Sequence, residues 1–170
     1  MAPQVQITTQ RFLLRELTVA DVSERYRAWL LEPEARKNIS AVTDSLSELT
    51  QYVADRTQRA DVLFLGIFDL LSGLHIGNLK YEPVNSELGY AIVGVLIGDV
   101  EYRGRGVAQE VLLASTAWLK ANRRINQILL GVWRANLAAV RAYEKAGFEI
   151  GESALLPDRP PEAPVMILNL

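Results

Sequence analysis

The sequence predicts a mixed α/β domain: a mostly antiparallel central sheet of about six or seven strands flanked by about four helices. Three observations carry that expectation. The 170 residues, 49% of them hydrophobic, suffice for one packed domain over residues 1–170 and are too apolar for a disordered chain. Between Val62 and Val100, three apolar runs of strand length follow one another across short turns, the pattern of an antiparallel meander. Beyond Glu101 the pattern becomes helix–strand–helix–strand, which lays helices against the same sheet.

Taken in order, Phe12-Leu13-Leu14 reads as a first strand, and Thr18 as the cap of a helix over Val19–Leu31 with Val22, Tyr26, Trp29 and Leu30 on one side. Pro33 ends that helix or opens a short second piece. Ser45 caps a second helix reaching about Arg59, striped by Leu46, Leu49, Tyr52 and Val53. Strands follow at Val62–Asp69 and at His75–Glu82, the second ended by Pro83 and Asn85-Ser86. Leu88–Val100 is long and nearly all apolar, so it is expected at the sheet centre, covered on both faces. A helix from Val107 to about Ala121 turns Val107, Val111, Leu112, Ser115, Trp118 and Leu119 to one face. Ile125–Trp133 is a strand with Trp133 packing at its end, Asn136–Ala146 a helix stopped by Gly147, and Phe148–Gly151 and Val165–Leu168 are the last strands.

Composition removes several chemistries. Eighteen Lys and Arg against twenty Asp and Glu give a net charge of −2 and a pI near 5.5, which fits neither a general nucleic-acid binder nor a binder of acidic membranes. With no cysteine and one histidine, there is no disulfide, thiol nucleophile, Cys-rich zinc site or two-His zinc helix, and no metal is expected. The N-terminal residues lack the basic start and apolar run of a signal peptide, so a cytoplasmic protein is expected. Asn38-Ile39-Ser40 matches a glycosylation pattern, which has no meaning without secretion.

The informative segment is Leu96–Val111, LIGDVEYRGRGVAQEV, where a strand runs through a glycine turn directly into a helix. Gly104 and Gly106 permit backbone conformations that side chains block. The main-chain N–H groups around Arg105–Ala108 then converge at the positive end of the helix dipole, where Arg103 and Arg105 add charge. That arrangement asks for a phosphate or pyrophosphate. A P-loop is excluded because no Gly-Lys-Ser/Thr closes the turn. A dinucleotide fingerprint is disfavoured because the third glycine is missing and Arg123-Arg124 stand where a ribose-binding acid belongs.

Arg103-x-x-Gly106-x-Ala108 resembles the acyl-CoA turn of the GNAT acetyltransferase superfamily. Asn136 followed by Tyr143-Glu144-Lys145-Ala146-Gly147-Phe148 is similar to the family's second landmark. Arg11-Phe-Leu-Leu-Arg-Glu-Leu, Asp21, Trp29 and Glu87-Leu-Gly-Tyr90 resemble the branch acting on ribosomal-protein amino termini. The resemblance covers about Gln10 to Glu152.

It implies a sheet splayed between its fourth and fifth strands, here Leu88–Val100 and Ile125–Trp133, with acetyl-CoA in the wedge and an amine as acceptor: a protein N-terminus, an amino sugar, a polyamine or an antibiotic. The diphosphate would sit on Arg103, Gly104, Arg105, Gly106, Val107 and Ala108, and the pantetheine arm along Ile97 to Val100, with an N–H near Gly98 facing the thioester oxygen. Tyr143 would protonate the leaving thiolate, and Asn136 would both cap its helix and touch the arm. Ala139 stands where many relatives carry a serine, so that serine's part is missing.

For the base that frees the amine's lone pair, Glu87 and Asp99 are the first candidates and Glu101 and Glu110 the weaker ones. His75 reads as structural; Tyr26, Trp29 and Tyr52 roof the acceptor pocket or simply pack. A non-catalytic acyl-CoA-binding module is the alternative. The family often dimerises, and the apolar tail Val165–Leu170 could pair across such an interface.

Overall fold

The computed structural model describes residues 4–38 and 45–170. Eight strands form one sheet: β1 Gln6–Thr8, β2 Phe12–Glu16, β3 Leu63–Asp69, β4 His75–Asn85, β5 Tyr90–Ile97, β6 Gln127–Gly131, β7 Glu149–Gly151 and β8 Val165–Asn169. Their spatial order is β1-β2-β3-β4-β5-β6-β8-β7, antiparallel except where β5 meets β6. Four helices of two turns or more pack on it: α1 Glu24–Leu31, α3 Leu46–Thr57, α4 Val107–Arg123 and α5 Leu137–Lys145, with a short α2 at Pro33–Asn38.

The sheet separates two cores. On one face Leu14, Leu65, Ile67, Leu79 and Tyr81 meet Val107, Val111, Leu112 and Leu119 of α4. The buried Tyr81 hydroxyl pairs with Ser115 Oγ at 2.7 Å, so that polar group costs little. On the other face Phe64 and Phe68 meet Tyr26, Trp29 and Leu30 of α1 and Leu49 and Val53 of α3.

Several expectations are corrected. The helix over Val19–Leu31 breaks at Val22-Ser23: Thr18 caps only a 3-10 turn at Val19–Asp21, and Ser23 Oγ accepts from Tyr26 N–H to start α1. Pro33 opens α2, the second of the two readings. β4 does not stop at Pro83 but runs to Asn85, because a register shift between Tyr81 and Val84 absorbs the missing donor. β5 is not the strand covered on both faces. That strand is β3, buried along nearly its whole length, whereas Gly94 of β5 is exposed and Val95, Leu96 and Ile97 are half-buried.

Trp133 lies just beyond the end of β6, 41% exposed and outside both cores. The tail expected at an interface is internal, since β8 inserts between β6 and β7 and its hydrogen bonds are used there. Ile39 and Ser40 of the glycosylation pattern lie outside the described residues. Among the described residues, no helix is long and apolar enough to cross a membrane.

Candidate functional site

The site begins where two parallel strands part. β5 pairs with β6 through Tyr90–Gln127, Ala91–Ile128 and Ile92–Leu129, and there the ladder stops. β5 continues to Ile97 with no β6 partner. The Gly98 N–H donates to Ile76 O of β4 at 3.0 Å. Because polar groups alternate sides along a strand, Ile97, Val95 and Val93 direct theirs into the gap. The splay expected between these strands is therefore present, one residue pair beyond Ile92.

The same bond corrects the reading of Gly98. Its N–H is committed to Ile76 O, as is that of Asp99, so neither faces the wedge. Val100–Tyr102 form a 3-10 turn rather than a strand end, which moves the open edge upstream of the expected Ile97–Val100. The need for glycine at 98 comes from the opposite side: a Cβ there would overlap Cγ, Cδ2 and Cε3 of the Trp29 indole.

Next comes the turn. Gly104 and Gly106 hold φ of +71° and +74°, the left-handed region, and among the described residues nothing lies within 4 Å of where a Gly104 Cβ would stand. Among the described residues no protein acceptor meets the main-chain N–H groups of Gly104 through Gln109; the ladder of α4 begins with Glu110 N–H to Gly106 O at 3.1 Å. Alternating left-handed glycines followed by a helix N-terminus make a nest of donors for an anion. Val107 is buried and anchors the helix, Ala108 is half-buried, and Arg105 is exposed with no acidic partner among the described residues. Arg103, expected to add charge here, is turned away: Nε donates to Ile97 O at 2.9 Å, and Nη2 to Gly98 O at 3.0 Å and Glu32 Oε2 at 2.9 Å.

Sequence reasoning missed the cation that does brace the turn. Arg11, between β1 and β2, donates from Nη2 to Arg105 O at 2.9 Å and from Nε to Glu110 Oε2 at 2.7 Å. In a trans peptide the Arg105 carbonyl and the Gly106 N–H point opposite ways, so holding the oxygen aims the N–H. Glu110 also accepts from the Arg11 N–H and from Thr9 Oγ1. Burial works against its charge, but these hydrogen bonds outweigh it and hold the carboxyl below the usual range. Glu110 is thus a brace rather than a free base.

The remaining candidates lie as follows. Glu87 is exposed in the β4–β5 turn, at the opposite end of β5 from the glycine turn, with its N–H on Asn85 Oδ1. Asp99 pairs with Arg25 of α1 and accepts from the Glu101 N–H. Glu101 is exposed. Asn136 Oδ1 accepts from Ala139 N–H at 3.2 Å, capping α5.

Tyr143 of α5 lies against Phe148, ring centroids 6.0 Å apart, and its hydroxyl has no hydrogen-bond partner among the described residues. Burial pushes its pKa up to about 12. His75 stacks on Phe68 at 4.8 Å and meets Trp29 and Tyr26 edge-on; burial lowers its pKa despite a hydrogen bond to Asn78, so it is a packed neutral ring. Tyr26 and Trp29 are buried in that aromatic cluster, while Tyr52 lies half-buried against Phe64 of β3 and Lys80 of β4. Among the described residues, no group of three or more His, Cys, Asp or Glu could hold a metal ion.

A diphosphate on the N–H nest beside Arg105, continued by an amide-bearing arm along the free β5 edge, matches the donors and acceptors present. Comparison with known proteins gives the family. The acetyltransferase (GNAT) domain family model matches residues 11–149. Over 57 residues, 34% of this chain and only 18% of that protein, the chain is 46% identical to the mycothiol acetyltransferase of Thermobispora bispora. A spermidine N-acetyltransferase from Vibrio cholerae, solved with CoA and spermine, superposes with a TM-score of 0.79 at 18% identity, covering 93% of this chain and 95% of that one. A Vibrio cholerae protein assigned as a ribosomal-protein-serine acetyltransferase superposes at 0.76 and 20% identity, over 100% of both chains. At these identities the two structures establish the fold and leave the acceptor open.

Proposed function

Because the chain belongs to the acetyltransferase (GNAT) family, we propose that this acetyl-CoA-dependent N-acetyltransferase passes the acetyl group directly to a primary amine within one ternary complex. The observation that carries this reading is the end of β5–β6 pairing at Ile92–Leu129 beside a turn with unpaired N–H groups from Gly104 to Gln109.

In this reading Gly104 to Gln109 and Arg105 hold the diphosphate, and Val93, Val95 and the Ile97 N–H pair with the pantetheine arm as a neighbouring strand would. The thioester end then falls near Val93. A preorganised N–H there, aimed at the carbonyl oxygen as it gains charge, contributes about 3 kcal/mol to lowering the barrier. Freeing the lone pair of an aliphatic amine of pKa ~10 at pH 7 costs roughly 4 kcal/mol. Glu87, in the turn before β5, takes the amine proton only after it has passed through solvent, and Asp99 ties α1 to the end of β5.

Tyr143, held protonated, donates its hydrogen bond to the departing sulfur. With the phenol near 12 and a thiol near ~8.5, full transfer is uphill by about 5 kcal/mol, so the hydroxyl acts by stabilising developing charge. Asn136 keeps the N-terminus of α5 in place. The cytoplasm is the compartment this reading expects.

Calorimetric titration with acetyl-CoA and with NADP, followed by mass detection of acetylated products from an amine panel, tests the reading. Binding of acetyl-CoA alone and transfer to an amine support it. Acetyl-CoA binding with no transfer to any amine makes the chain a non-catalytic acyl-CoA-binding module, and NADP binding instead removes the reading altogether.

A further inference from the structure

The α1–α3 face of the sheet beside the wedge carries a charge pattern of its own. α4 and α5 cover the other side. On the α1–α3 side Gly94 of β5 is exposed, and among the described residues nothing lies within 4 Å of a Cβ placed on it. Gly94 sits between Val93 and Val95, whose free main-chain groups border the gap, and its direct partner across β4 is Lys80. A molecule crossing this floor to the wedge passes the Lys80 ammonium.

Lys80 Nζ donates to the Tyr52 hydroxyl at 2.6 Å, leaving the phenolic proton to donate in turn. Arg56 stacks over the Tyr52 ring, Cζ 4.1 Å from its centroid, and its buried Nε has no hydrogen-bond partner. Among the described residues, the carboxylate paired with this group is Glu82, and it is saturated: it meets Arg59 at 2.6 Å, Lys80 at 3.0 Å and Arg56 at 3.8 Å. Asp61 is taken up by Arg59 at 2.8 Å. On the same face of β4, two register pairs along, Asn78 is buried with its Nδ2 unpartnered among the described residues. The described side chains around the floor therefore offer donors and positive charge, and the one carboxylate paired with them is already taken up. A polycation entering here would meet like charge and lose water from its ammonium groups without repayment.

Resting on the transferase reading above, we infer that the acceptor is an amine that also carries a carboxylate or other anionic oxygen group, which docks on Lys80 and Tyr52 above Gly94, and not a polyamine.

The test compares kcat/KM for matched amines: β-alanine against β-alaninamide, the tripeptide amide Ser-Glu-Ala against Ser-Gln-Ala, and spermidine. The carboxylate member of each pair is expected to lead by about tenfold, with spermidine last. Lys80→Met should bring the ratio close to one and Lys80→Arg should keep it, while the Kd for acetyl-CoA stays the same in all three proteins. Equal or reversed ratios in the native protein, a preference for spermidine, or an unchanged ratio in Lys80→Met overturns the inference while leaving the transferase reading standing. A native protein that binds acetyl-CoA yet acetylates no amine overturns the transferase reading, and this inference with it.

Discussion

Replacing Gly98 by alanine separates two explanations of why a strand end carries glycine. The added methyl would fall inside the Trp29 indole, which is 5% exposed and wedged between Tyr26, with ring centroids 5.8 Å apart, and His75 at 5.1 Å. No flexible end is available to yield, so either the ring or the end of β5 must move. Overpacking of this kind costs typically 1–3 kcal/mol, and the depth of overlap with a ring puts this site at about 3. For a chain of this length that is a fall in Tm of roughly 6–12 °C. The assay is thermal unfolding of Gly98→Ala, Trp29→Leu and the double variant, with the Kd for acetyl-CoA measured on each. Trp29→Leu removes the ring the methyl strikes, so the double variant should lose about 2 kcal/mol less than the sum of the single losses. A Gly98→Ala protein of native Tm that binds acetyl-CoA poorly would refute this reasoning and return Gly98 to the cofactor.

Three other outcomes follow from the site. Arg11→Gln releases the Arg105 carbonyl and leaves Glu110 uncompensated at the N-terminus of α4, so the Kd for acetyl-CoA should rise about tenfold; adding Glu110→Gln should recover part of it, and additive losses would contradict the coupling. Tyr143→Phe should lower kcat by about 10- to 100-fold with acetyl-CoA affinity unchanged within roughly twofold, and unchanged turnover removes Tyr143 from the reaction. The lowered pKa of His75 means that the unfolded chain takes up its proton first as pH falls. Its contribution is complete above the ordinary value of 6.5 and is lost below it, by up to about 1.4 kcal/mol per pH unit, toward the folded-state pKa. Chemical denaturation between pH 7.5 and 5.5 should show that slope, and His75→Gln should flatten it.

What was legible in the chain was the local part. The meander from β3 to β5 announced itself through apolar runs and short turns, and α3, α4 and α5 through their caps or their faces. The glycine turn was legible because φ near +70° demands glycine. Contacts between distant segments were not. β1 is three residues of half-exposed chain with no apolar run, and the insertion of β8 between β6 and β7 depends on pairing that no local pattern encodes. The apolar length of β5 promised burial on both faces, but it reflects an edge facing a gap. Gly98 looked like a place for a ligand until Trp29, some seventy positions earlier in the chain, filled it. Arg11 and Glu110 sit ninety-nine positions apart, so the brace on the turn left no spacing to read.

The most direct measurement is backbone amide NMR of the 15N-labelled protein titrated with acetyl-CoA. The account predicts large shifts and slowed exchange at Gly104 through Gln109 and at Val93, Val95 and Ile97, with Gly98 and Asp99 little changed because Ile76 already holds their N–H groups. Saturating acetyl-CoA that leaves those amides where they were, or that perturbs Gly98 and Asp99 instead, would contradict it.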